Sequence, residues 1–342
     1  MKAMVLKQIT SLDFSSKPLC LEEWPIPSPG SQEVLIQISA CGVCHTELDE
    51  IEGRTPPAFL PIILGHQVVG TIVELGSEVK KSMIGQRVGV AWIYSSCGKC
   101  EFCVSGRENL CPDFKATGRD KNGGYAEYMV ASENFVYPIP DSFSNLEAAP
   151  FLCAGAIGNR LITLSGLVNG QNLGLMGFGA SAHLVLKLVQ HSFPDSRIFV
   201  FSRNSEERKF AEQLGATWAG DILDKSPKKL HCIIDTTPAW KPVLKSLENL
   251  EKGGRLIINA IRKEDRDKNL LLQLSYENHL WLEKEIKSVA NVTGKDVEEF
   301  LKIAAVSAIK PYYQEYGLEE ANMALIDLRK KGIKGAKVLQ IH

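Results

Sequence analysis

Four cysteines crowd into one short segment of this 342-residue chain, and they constrain its fold more than any other feature. They are spaced closely at first and then by a longer interval, as Cys97, Cys100, Cys103 and Cys111. Four thiolates in one lobe make a closed tetrahedral zinc site, which is structural because no coordination position is left for a substrate. An iron–sulfur cluster can also use four cysteines, but the tight grouping favours zinc. The segment therefore predicts a metal-held lobe without catalysis of its own.

A thiol and an imidazole lie far apart in an earlier region, each beside glycines that permit tight turns. They are Cys44 and His66. Thiolate and imidazole together suit zinc, and their wide separation excludes a zinc finger, whose paired ligands lie a few residues apart. A site with fewer than four protein ligands keeps the open position that a catalytic zinc needs. Cys153 is the candidate third ligand, although in isolation this cysteine is better interpreted as a small buried hydrophobe.

Composition excludes several classes of function. The net charge of −1 gives no basic field for nucleic acid or an anionic membrane, and no Lys/Arg cluster surrounds the four cysteines as in a nucleic-acid-binding zinc ribbon. Nine cysteines, an odd count, suit metal binding in a reducing compartment better than a disulfide framework. The N-terminus lacks the apolar region of a signal peptide, and no apolar segment is long enough to span a bilayer. We therefore expect a cytoplasmic protein that binds neither nucleic acid nor membrane.

The length and the strand pattern predict two domains. Residues 1–90 alternate short β-type runs with Pro and Gly, for example at residues 34–38, 68–75 and 87–90, which is typical of a mainly antiparallel β domain. We place a first domain at 1–155 and a second at 156–290. The segment 291–342, with an amphipathic helix near 319–331 and a last strand at 337–341, is expected to return to the first domain.

A dinucleotide-binding unit is predicted in the second domain. A short apolar strand at 173–176 is followed by Gly177, Gly179 and Ala182 in G-x-G-x-x-A spacing, and then by a helical run to Gln190. The glycines let a pyrophosphate approach the backbone at the helix N-terminus. Further strands at 198–201, 232–235 and 254–258 continue the alternation, so a doubly wound parallel sheet is expected.

Together these motifs resemble the zinc-dependent alcohol dehydrogenases of the medium-chain dehydrogenase/reductase family over essentially the whole chain. The motifs that carry the resemblance are residues 42–46, residues 65–70, the four-cysteine lobe, Cys153 and residues 177–182. The resemblance implies an α/β plus β architecture, with a GroES-like catalytic domain formed by both termini around a Rossmann domain. It also implies that Cys44, His66 and Cys153 bind catalytic zinc, so that two Zn²⁺ ions are expected per chain.

The expected reaction interconverts alcohols with aldehydes or ketones. Zinc in an open site lowers the pKa of a bound alcohol, which can then transfer hydride to a nicotinamide. Thr46 is placed to hydrogen-bond the alcohol oxygen and pass on its proton. By resemblance, Glu47 orients the zinc-binding imidazole, His45 lies near the coenzyme pyrophosphate, and Lys337 is a further coenzyme-binding candidate. Trp92 matches a position that narrows the substrate pocket, although a core aromatic is an equally good interpretation.

Three residues depart from the family pattern. Gln67 stands where the family usually has Glu, which should make the site more positive. Asp49 stands where many members carry the His that ends the proton relay; a carboxylate accepts a proton poorly unless its pKa is raised, so the relay can also end in water. Ile157 replaces a Thr common near the nicotinamide. These departures affect details of the site and not the reaction class.

Coenzyme choice depends on the end of the second Rossmann strand. An NAD site places Asp or Glu there to bond the ribose 2′-hydroxyl. Here the residues are Ser202 and Arg203, whose hydroxyl and guanidinium can bond a 2′-phosphate. We expect NADP to be preferred and NAD to be possible; the alternative is that Arg203 is a solvated loop charge and both coenzymes are accepted.

The chain lacks the extra segment of dimeric animal and plant relatives and resembles tetrameric microbial members, which implies a homotetramer. A polyol or sugar-alcohol dehydrogenase of the same family is the nearest alternative function. A zinc-free quinone reductase fits poorly because it would not need the seven metal ligands. A non-catalytic descendant that binds zinc and dinucleotide is disfavoured by the complete ligand set and by Thr46.

Overall fold

The computed structural model describes residues 1–13, 15–329 and 335–342, which form two compact units. The first combines Met1–Ala156 with Val292–His342, and the second is Ile157–Asn291.

In chain order the strands are β1 (Lys2–Leu6), β2 (Leu19–Glu23), β3 (Glu33–Val43), β4 (Ile62–Ile63), β5 (Gln67–Leu75), β6 (Arg87–Val90), β7 (Ile93–Ser95), β8 (Lys115–Ala116), β9 (Tyr128–Ser132), β10 (Val136–Pro138), β11 (Asn172–Met176), β12 (Arg197–Phe201), β13 (Trp218–Gly220), β14 (Leu230–Asp235), β15 (Leu250–Ile258), β16 (Glu285–Ser288), β17 (Tyr313–Gly317) and β18 (Ala336–Gln340). The α-helices are α1 (His45–Ile51), α2 (Glu101–Val104), α3 (Asn145–Ala148), α4 (Ala154–Ser165), α5 (Ala180–Ser192), α6 (Ser205–Gln213), α7 (Lys241–Asn249), α8 (Gly294–Ser307) and α9 (Ala321–Arg329).

The first unit is built on a mainly antiparallel sheet, as the density of turn residues predicts. Its strand order is β10-β6-β5-β3-β18-β17, and only the β17–β18 pairing is parallel among the described strands. The long strand β3 is shared along one edge: β9 pairs with residues 33–37 and β18 with residues 40–43. The register of β3 against β5 is irregular between Ile38 and Ala40, which lie between the segments paired with β9 and β18. An irregularity of this kind bends a strand locally.

Alternation along β3 fixes which side chains enter the core. Val34, Ile36 and Ile38 are fully buried in the core of the first unit. A strand places every second side chain on the same face. The strand ends at Val43, so this register also fixes where the next residue, Cys44, leaves the sheet.

The second unit contains the predicted parallel sheet, with the order β13-β12-β11-β14-β15-β16. The strand order reverses between β11 and β14, whose last residues, Met176 and Asp235, are register partners. In open sheets of this kind, ligands bind outside the carboxyl ends of the strands at such a reversal. The fold class expected from the sequence, β together with α/β, is therefore confirmed.

The C-terminal elements match their predictions over the part of the chain that is described. The helix expected near 319–331 is observed as α9, and residues 330–331 lie outside the described residues. The last strand is observed as β18, one residue earlier than expected. None of the helices in the described ranges combines the length and apolarity needed to cross a bilayer.

Candidate active site

Cys44 and His66 meet at the end of β3 and the start of β5. Cys44 caps α1: its Sγ accepts from the backbone N of Thr46 (3.3 Å), and its own N donates to Glu47 Oε2 (2.8 Å). The Cys44 Sγ lies 3.8 Å from His66 Nε2. On the other side of the imidazole, Nδ1 lies 2.7 Å from Glu47 Oε1, and His66 and Glu47 are both buried. One carboxylate therefore fixes both the helix start and the imidazole.

Cys153 completes this group from a distant part of the sequence. It follows the short 3₁₀ helix Ala149–Leu152 and directly precedes α4. The ligand atoms of Cys44, His66 and Cys153 all lie within 4.8 Å of one another. Atoms bound to one tetrahedral zinc at about 2.0–2.3 Å lie roughly 3.3–3.8 Å apart. The three side chains therefore fit a single zinc ion.

The electrostatics of the group also suit a cation. A hydrogen bond with Cys153, together with burial, raises the pKa of the Cys44 thiol well above its usual range. Burial alone would lower the pKa of His66, but Glu47 and Cys44 outweigh it and raise that pKa. A divalent cation favours the thiolate and the neutral imidazole, which are the forms that coordinate zinc.

Thr46 and Gln67 complete the immediate surroundings of the three ligands. The Thr46 side chain is buried, and its Oγ1 lies 3.3 Å from Cys44 Sγ. Gln67 is buried and approaches Gly42 so closely that a Cβ on that glycine would lie 2.6 Å from Gln67 Oε1. The Gln67 side chain therefore packs against Gly42, where a larger residue would displace it.

Trp92 packs against the imidazole. Its ring centroid lies 5.0 Å from that of His66 in a perpendicular arrangement, and it stacks with Phe114 at 6.4 Å. The guanidinium of Arg119 lies over the Trp92 ring at 5.6 Å and donates to the neighbouring Asp120 carboxylate. Trp92 is thus a buried aromatic that contacts the His66 imidazole, and its role in narrowing a substrate pocket stays a prediction.

Three other predicted site residues have different surroundings. Asp49 forms an ion pair with Arg54, and His45 is exposed at the start of α1. Lys337 is buried in β18 opposite Val43, where its Nζ donates to Gln314 and lies 5.5 Å from the Tyr316 ring centroid. Burial lowers the pKa of Lys337. Its ammonium is therefore already engaged within the first unit.

Glu50 is a buried acid that sequence reasoning missed. Its side chain is 1% exposed, and neither carboxyl oxygen has a hydrogen-bond partner among the described residues. Burial and the negative charge of Glu47 raise the pKa of Glu50 well above its usual range, against the opposing influence of His66 and Arg119. The only signal in the sequence was its position four residues after Thr46, which places both on one side of a helix.

The four-cysteine lobe forms a second group of metal-binding geometry. The sulfur atoms of Cys97, Cys100, Cys103 and Cys111 all lie within 4.8 Å of one another. Backbone N–H groups of Lys99 and Cys100 lower the pKa of Cys97 to about 6, whereas burial raises the pKa of Cys111 to about 11. Such a thiolate-rich cluster offers a cation four soft ligands and leaves no open position.

The glycine turn of the second unit has the predicted form. Gly177 has a φ of +84°, and a Cβ there would lie 2.9 Å from Thr236 Oγ1. Gly179 caps the N-terminus of α5, and Ala182 is buried on that helix. The backbone thus turns sharply from β11 into a thirteen-residue helix, which is the arrangement that receives a pyrophosphate.

The end of β12 differs in one respect from the sequence prediction. Arg203 is exposed, as a 2′-phosphate contact would require. Ser202 is buried, however, and its Oγ donates to Glu207 Oε2 at 2.5 Å. A carboxylate therefore does lie at this strand end, supplied by the first turn of α6 rather than by the strand.

The alcohol dehydrogenase GroES-like domain family matches residues 30–141. The chain is 40% identical to the probable alcohol dehydrogenase AdhA of Mycobacterium tuberculosis over 321 residues, which cover 92% of this chain and 91% of the relative. An alcohol dehydrogenase of Geobacillus stearothermophilus is 32% identical, with 100% of this chain and 99% of the relative covered.

A solved structure shows the same fold. The crystal structure of an NAD-dependent alcohol dehydrogenase superposes with a TM-score of 0.89 at 23% identity, covering 100% of both chains. The chain belongs to the alcohol dehydrogenases of the medium-chain dehydrogenase/reductase family. It is an oxidoreductase that acts on alcohols.

Proposed function

We propose that this enzyme holds its catalytic zinc with Cys44, His66 and Cys153. The observation that carries the proposal is the convergence of these three ligand atoms within 4.8 Å, although Cys153 lies far along the chain from the other two. Glu47, 2.7 Å from Nδ1, keeps the Nε2 of His66 directed at the Cys44 sulfur. Such carboxylate–histidine pairs orient ligands and raise their basicity.

Chemistry at this site requires a bound metal and a proton route. When bound, zinc supplies a Lewis acid that polarises the alcohol or carbonyl oxygen of the substrate. Thr46, beside Cys44, supplies the hydroxyl that accepts the alcohol proton and passes it on. Asp49, which forms an ion pair with Arg54, is the proposed next acceptor. Trp92 limits the size of the substrate because packing against His66 and Phe114 holds its ring in place.

The four-cysteine lobe is the proposed site of a second, structural zinc. Its sulfur–sulfur separations, 3.5 Å for Cys100–Cys103 and 3.9 Å for Cys97–Cys103, are close to those around one tetrahedral zinc. All nine cysteines are free of disulfides. Free thiols support a cytoplasmic location, where cysteines stay reduced.

The proposed coenzyme is a nicotinamide dinucleotide, with NADP preferred and NAD accepted. Gly177, Gly179 and Ala182 are proposed to receive the pyrophosphate, and His45 and Lys337 remain further coenzyme-binding candidates. The preference is supported by Arg203, whose exposed guanidinium has no ion-pair partner among the described residues. A guanidinium can bond a 2′-phosphate through two parallel hydrogen bonds.

A homotetramer is the proposed assembly. β16 is an edge strand of the six-stranded sheet in the described part of the chain, and all four of its residues are exposed. Ile286 within it is 45% exposed. An exposed apolar edge strand offers unpaired backbone groups to a second copy. Light scattering that gave a monomer mass at micromolar concentration would rule this assembly out.

The decisive experiment measures nicotinamide reduction with a panel of primary alcohols, polyols and sugar alcohols. We expect turnover with simple alcohols, loss of turnover after chelation, and recovery when Zn²⁺ is restored. The variant Cys153→Ser should lose activity and about one zinc per chain, whereas Cys232→Ser, a buried cysteine of the second unit, should lose neither. Activity that survives complete removal of zinc would overturn the proposal.

A further inference from the structure

The hydroxyl hydrogen of Ser202 is already donated to another side chain of the protein. A serine hydroxyl has one hydrogen to donate and two lone pairs to accept with. The hydrogen goes to Glu207 Oε2 at 2.5 Å, because an ionised carboxylate can only accept. One lone pair accepts from the backbone N of Asn204 at 3.1 Å. A single acceptor position therefore remains.

The surrounding backbone holds this arrangement in place. The N of Ser202 donates to the carbonyl of Gly220 on the neighbouring strand. Arg208 Nη1 donates to the carbonyls of Ser202 (2.6 Å) and Arg203 (3.2 Å). The guanidinium of Arg208 is also 3.7 Å from the Asp221 carboxylate. Ser202 thus lies on a loop held by three sets of hydrogen bonds, and Glu207 reaches it from the first turn of α6.

The two forms of the coenzyme place different groups at this strand end. The 2′-hydroxyl of NAD can donate to the remaining acceptor position of Ser202. The 2′-phosphate of NADP presents acceptors and negative charge, and it would find no free hydrogen on Ser202 and a carboxylate directly behind it. Arg203 favours the phosphate, whereas the Ser202–Glu207 pair favours the hydroxyl.

We propose that Glu207 determines coenzyme specificity: by accepting the Ser202 hydrogen it keeps NAD usable and limits the preference for NADP. This inference rests on the proposed coenzyme site and adds a residue to it. It also gives Ser202 the opposite role from the one that the sequence predicts, since the hydroxyl accepts from a 2′-hydroxyl instead of donating to a 2′-phosphate.

The test compares Glu207→Gln with Glu206→Gln in the zinc-loaded enzyme. Both variants remove one negative charge from the first turn of α6, but Glu206 is 62% exposed and pairs with Lys209. Dissociation constants for NAD and NADP are measured by calorimetry, and kcat/KM is measured for each coenzyme at one low ionic strength. A glutamine amide can donate to Ser202, which frees the hydroxyl hydrogen for a phosphate.

We expect Glu207→Gln to raise the ratio of NADP to NAD affinity on the order of tenfold, the effect of losing a charged hydrogen-bond partner. Glu206→Gln should change this ratio by less than about twofold, because an exposed charge is screened. In a Ser202→Ala background the effect of Glu207→Gln should shrink, since the hydroxyl that it frees is absent. An unchanged ratio in Glu207→Gln, or equal shifts in both glutamine variants, would overturn the inference.

These measurements distinguish failure of the role proposed for Glu207 from failure of the proposed function. Calorimetry reports coenzyme binding whether or not the enzyme turns over an alcohol. If wild-type protein binds both coenzymes but oxidises no alcohol after zinc loading, the proposed catalytic site fails and the role of Glu207 can still be read. If alcohols are oxidised and the ratio does not respond to Glu207→Gln, only the role of Glu207 fails.

Discussion

Lys263 and Asp235 form a buried ion pair in the second unit, with the ammonium 2.5 Å from the carboxylate and the two side chains 7% and 0% exposed. The same ammonium donates to the carbonyls of Thr237 (2.8 Å) and Ala239 (3.0 Å). Its three hydrogens are therefore all used. Lys263 thus ties the loop after β15 to the end of β14 and to the loop that follows β14, at the carboxyl edge of the parallel sheet.

Replacing one partner of this pair should be far more harmful than replacing both. Lys263→Met leaves a buried carboxylate without its cation and should lower the free energy of unfolding by about 3–5 kcal/mol. The double variant with Asp235→Asn should recover much of that loss, because the uncompensated charge is gone. Urea denaturation of both variants, with the exposed Lys268→Met as control, measures the difference. Equal destabilisation by Lys263→Met and Lys268→Met would contradict the expectation.

Glu50 should make stability depend on pH. Its folded-state pKa is raised by burial and by Glu47, so its stabilising contribution is complete below the unfolded pKa of about 4.3 and is lost as pH rises through the folded pKa. Glu50→Gln cannot ionise, and its advantage over wild type should grow by up to about 1.4 kcal/mol per pH unit in that window.

The pH dependence is checked by denaturant unfolding between about pH 5 and pH 8. The test is how the difference in the free energy of unfolding between Glu50→Gln and wild type changes with pH. A buried amide without a partner lowers the stability of the variant by a constant amount and does not change that slope. Glu298→Gln is the control, since Glu298 is 57% exposed on α8 of the same unit. A difference between Glu50→Gln and wild type that stays flat across this range would show that Glu50 is charged in the folded protein.

Thr46 should be needed for turnover and not for metal binding. Thr46→Ala should lower kcat on the order of a hundredfold, because it removes the proposed proton route while leaving all three ligands in place. Thr46→Ser keeps the hydroxyl and should retain most activity. The zinc content of each variant shows whether kcat falls because the proton route is lost or because the metal is lost. Wild-type kcat in Thr46→Ala would mean that the alcohol proton leaves by another route.

Cys100 should be needed for folding and not directly for chemistry. Cys100→Ser removes one of four thiolates from the lobe, and structural zinc contributes folding free energy outright. We expect a lower yield of folded protein and about one zinc per chain instead of two. Cys20→Ser, at an exposed cysteine outside both metal-binding groups, provides the comparison. Full zinc content and full yield in Cys100→Ser would remove the lobe from the list of metal sites.

Arg203 should affect one coenzyme and not the other. Arg203→Ala should weaken NADP binding by about 1–3 kcal/mol, as expected for a lost charged hydrogen bond, and leave NAD binding nearly unchanged. Lys209→Ala removes an exposed positive charge from the following helix. It therefore controls for the electrostatic effect of removing any positive charge in this region. Equal weakening of both coenzymes would show that Arg203 does not contact the 2′ position.

The sequence predicted features whose cause is local. Strands such as β11 and β12 follow from short apolar runs, and Gly177 follows from a turn that only glycine adopts easily. Cys44 and His66 could be named because thiol and imidazole chemistry restricts the choice, whereas Cys153 was assigned mainly through the family resemblance. The partner of Lys263 could not be named, since Asp235 lies 28 residues earlier and only the sheet brings them together.

Contacts between particular side chains could not be predicted from the sequence. Glu207 stands five residues after Ser202, and no periodicity of strand or helix pairs those positions. Glu50 was not singled out by the sequence, and the packing of its unit leaves it 1% exposed. In both cases the identity of the residue was plain and its surroundings depended on tertiary structure.

The position of β18 sets an order of events during synthesis. This strand pairs with β3 on one side and β17 on the other, so the sheet that carries Cys44 stays incomplete until the whole second unit has been made. The second unit, Ile157–Asn291, has all of its strands well before β18 is made. A ribosome that stops before β18 therefore releases a chain whose Rossmann sheet can form while the unit that carries Cys44 still lacks an interior strand. Truncation before Ala336 should therefore be as damaging to binding of the proposed catalytic zinc as loss of a ligand.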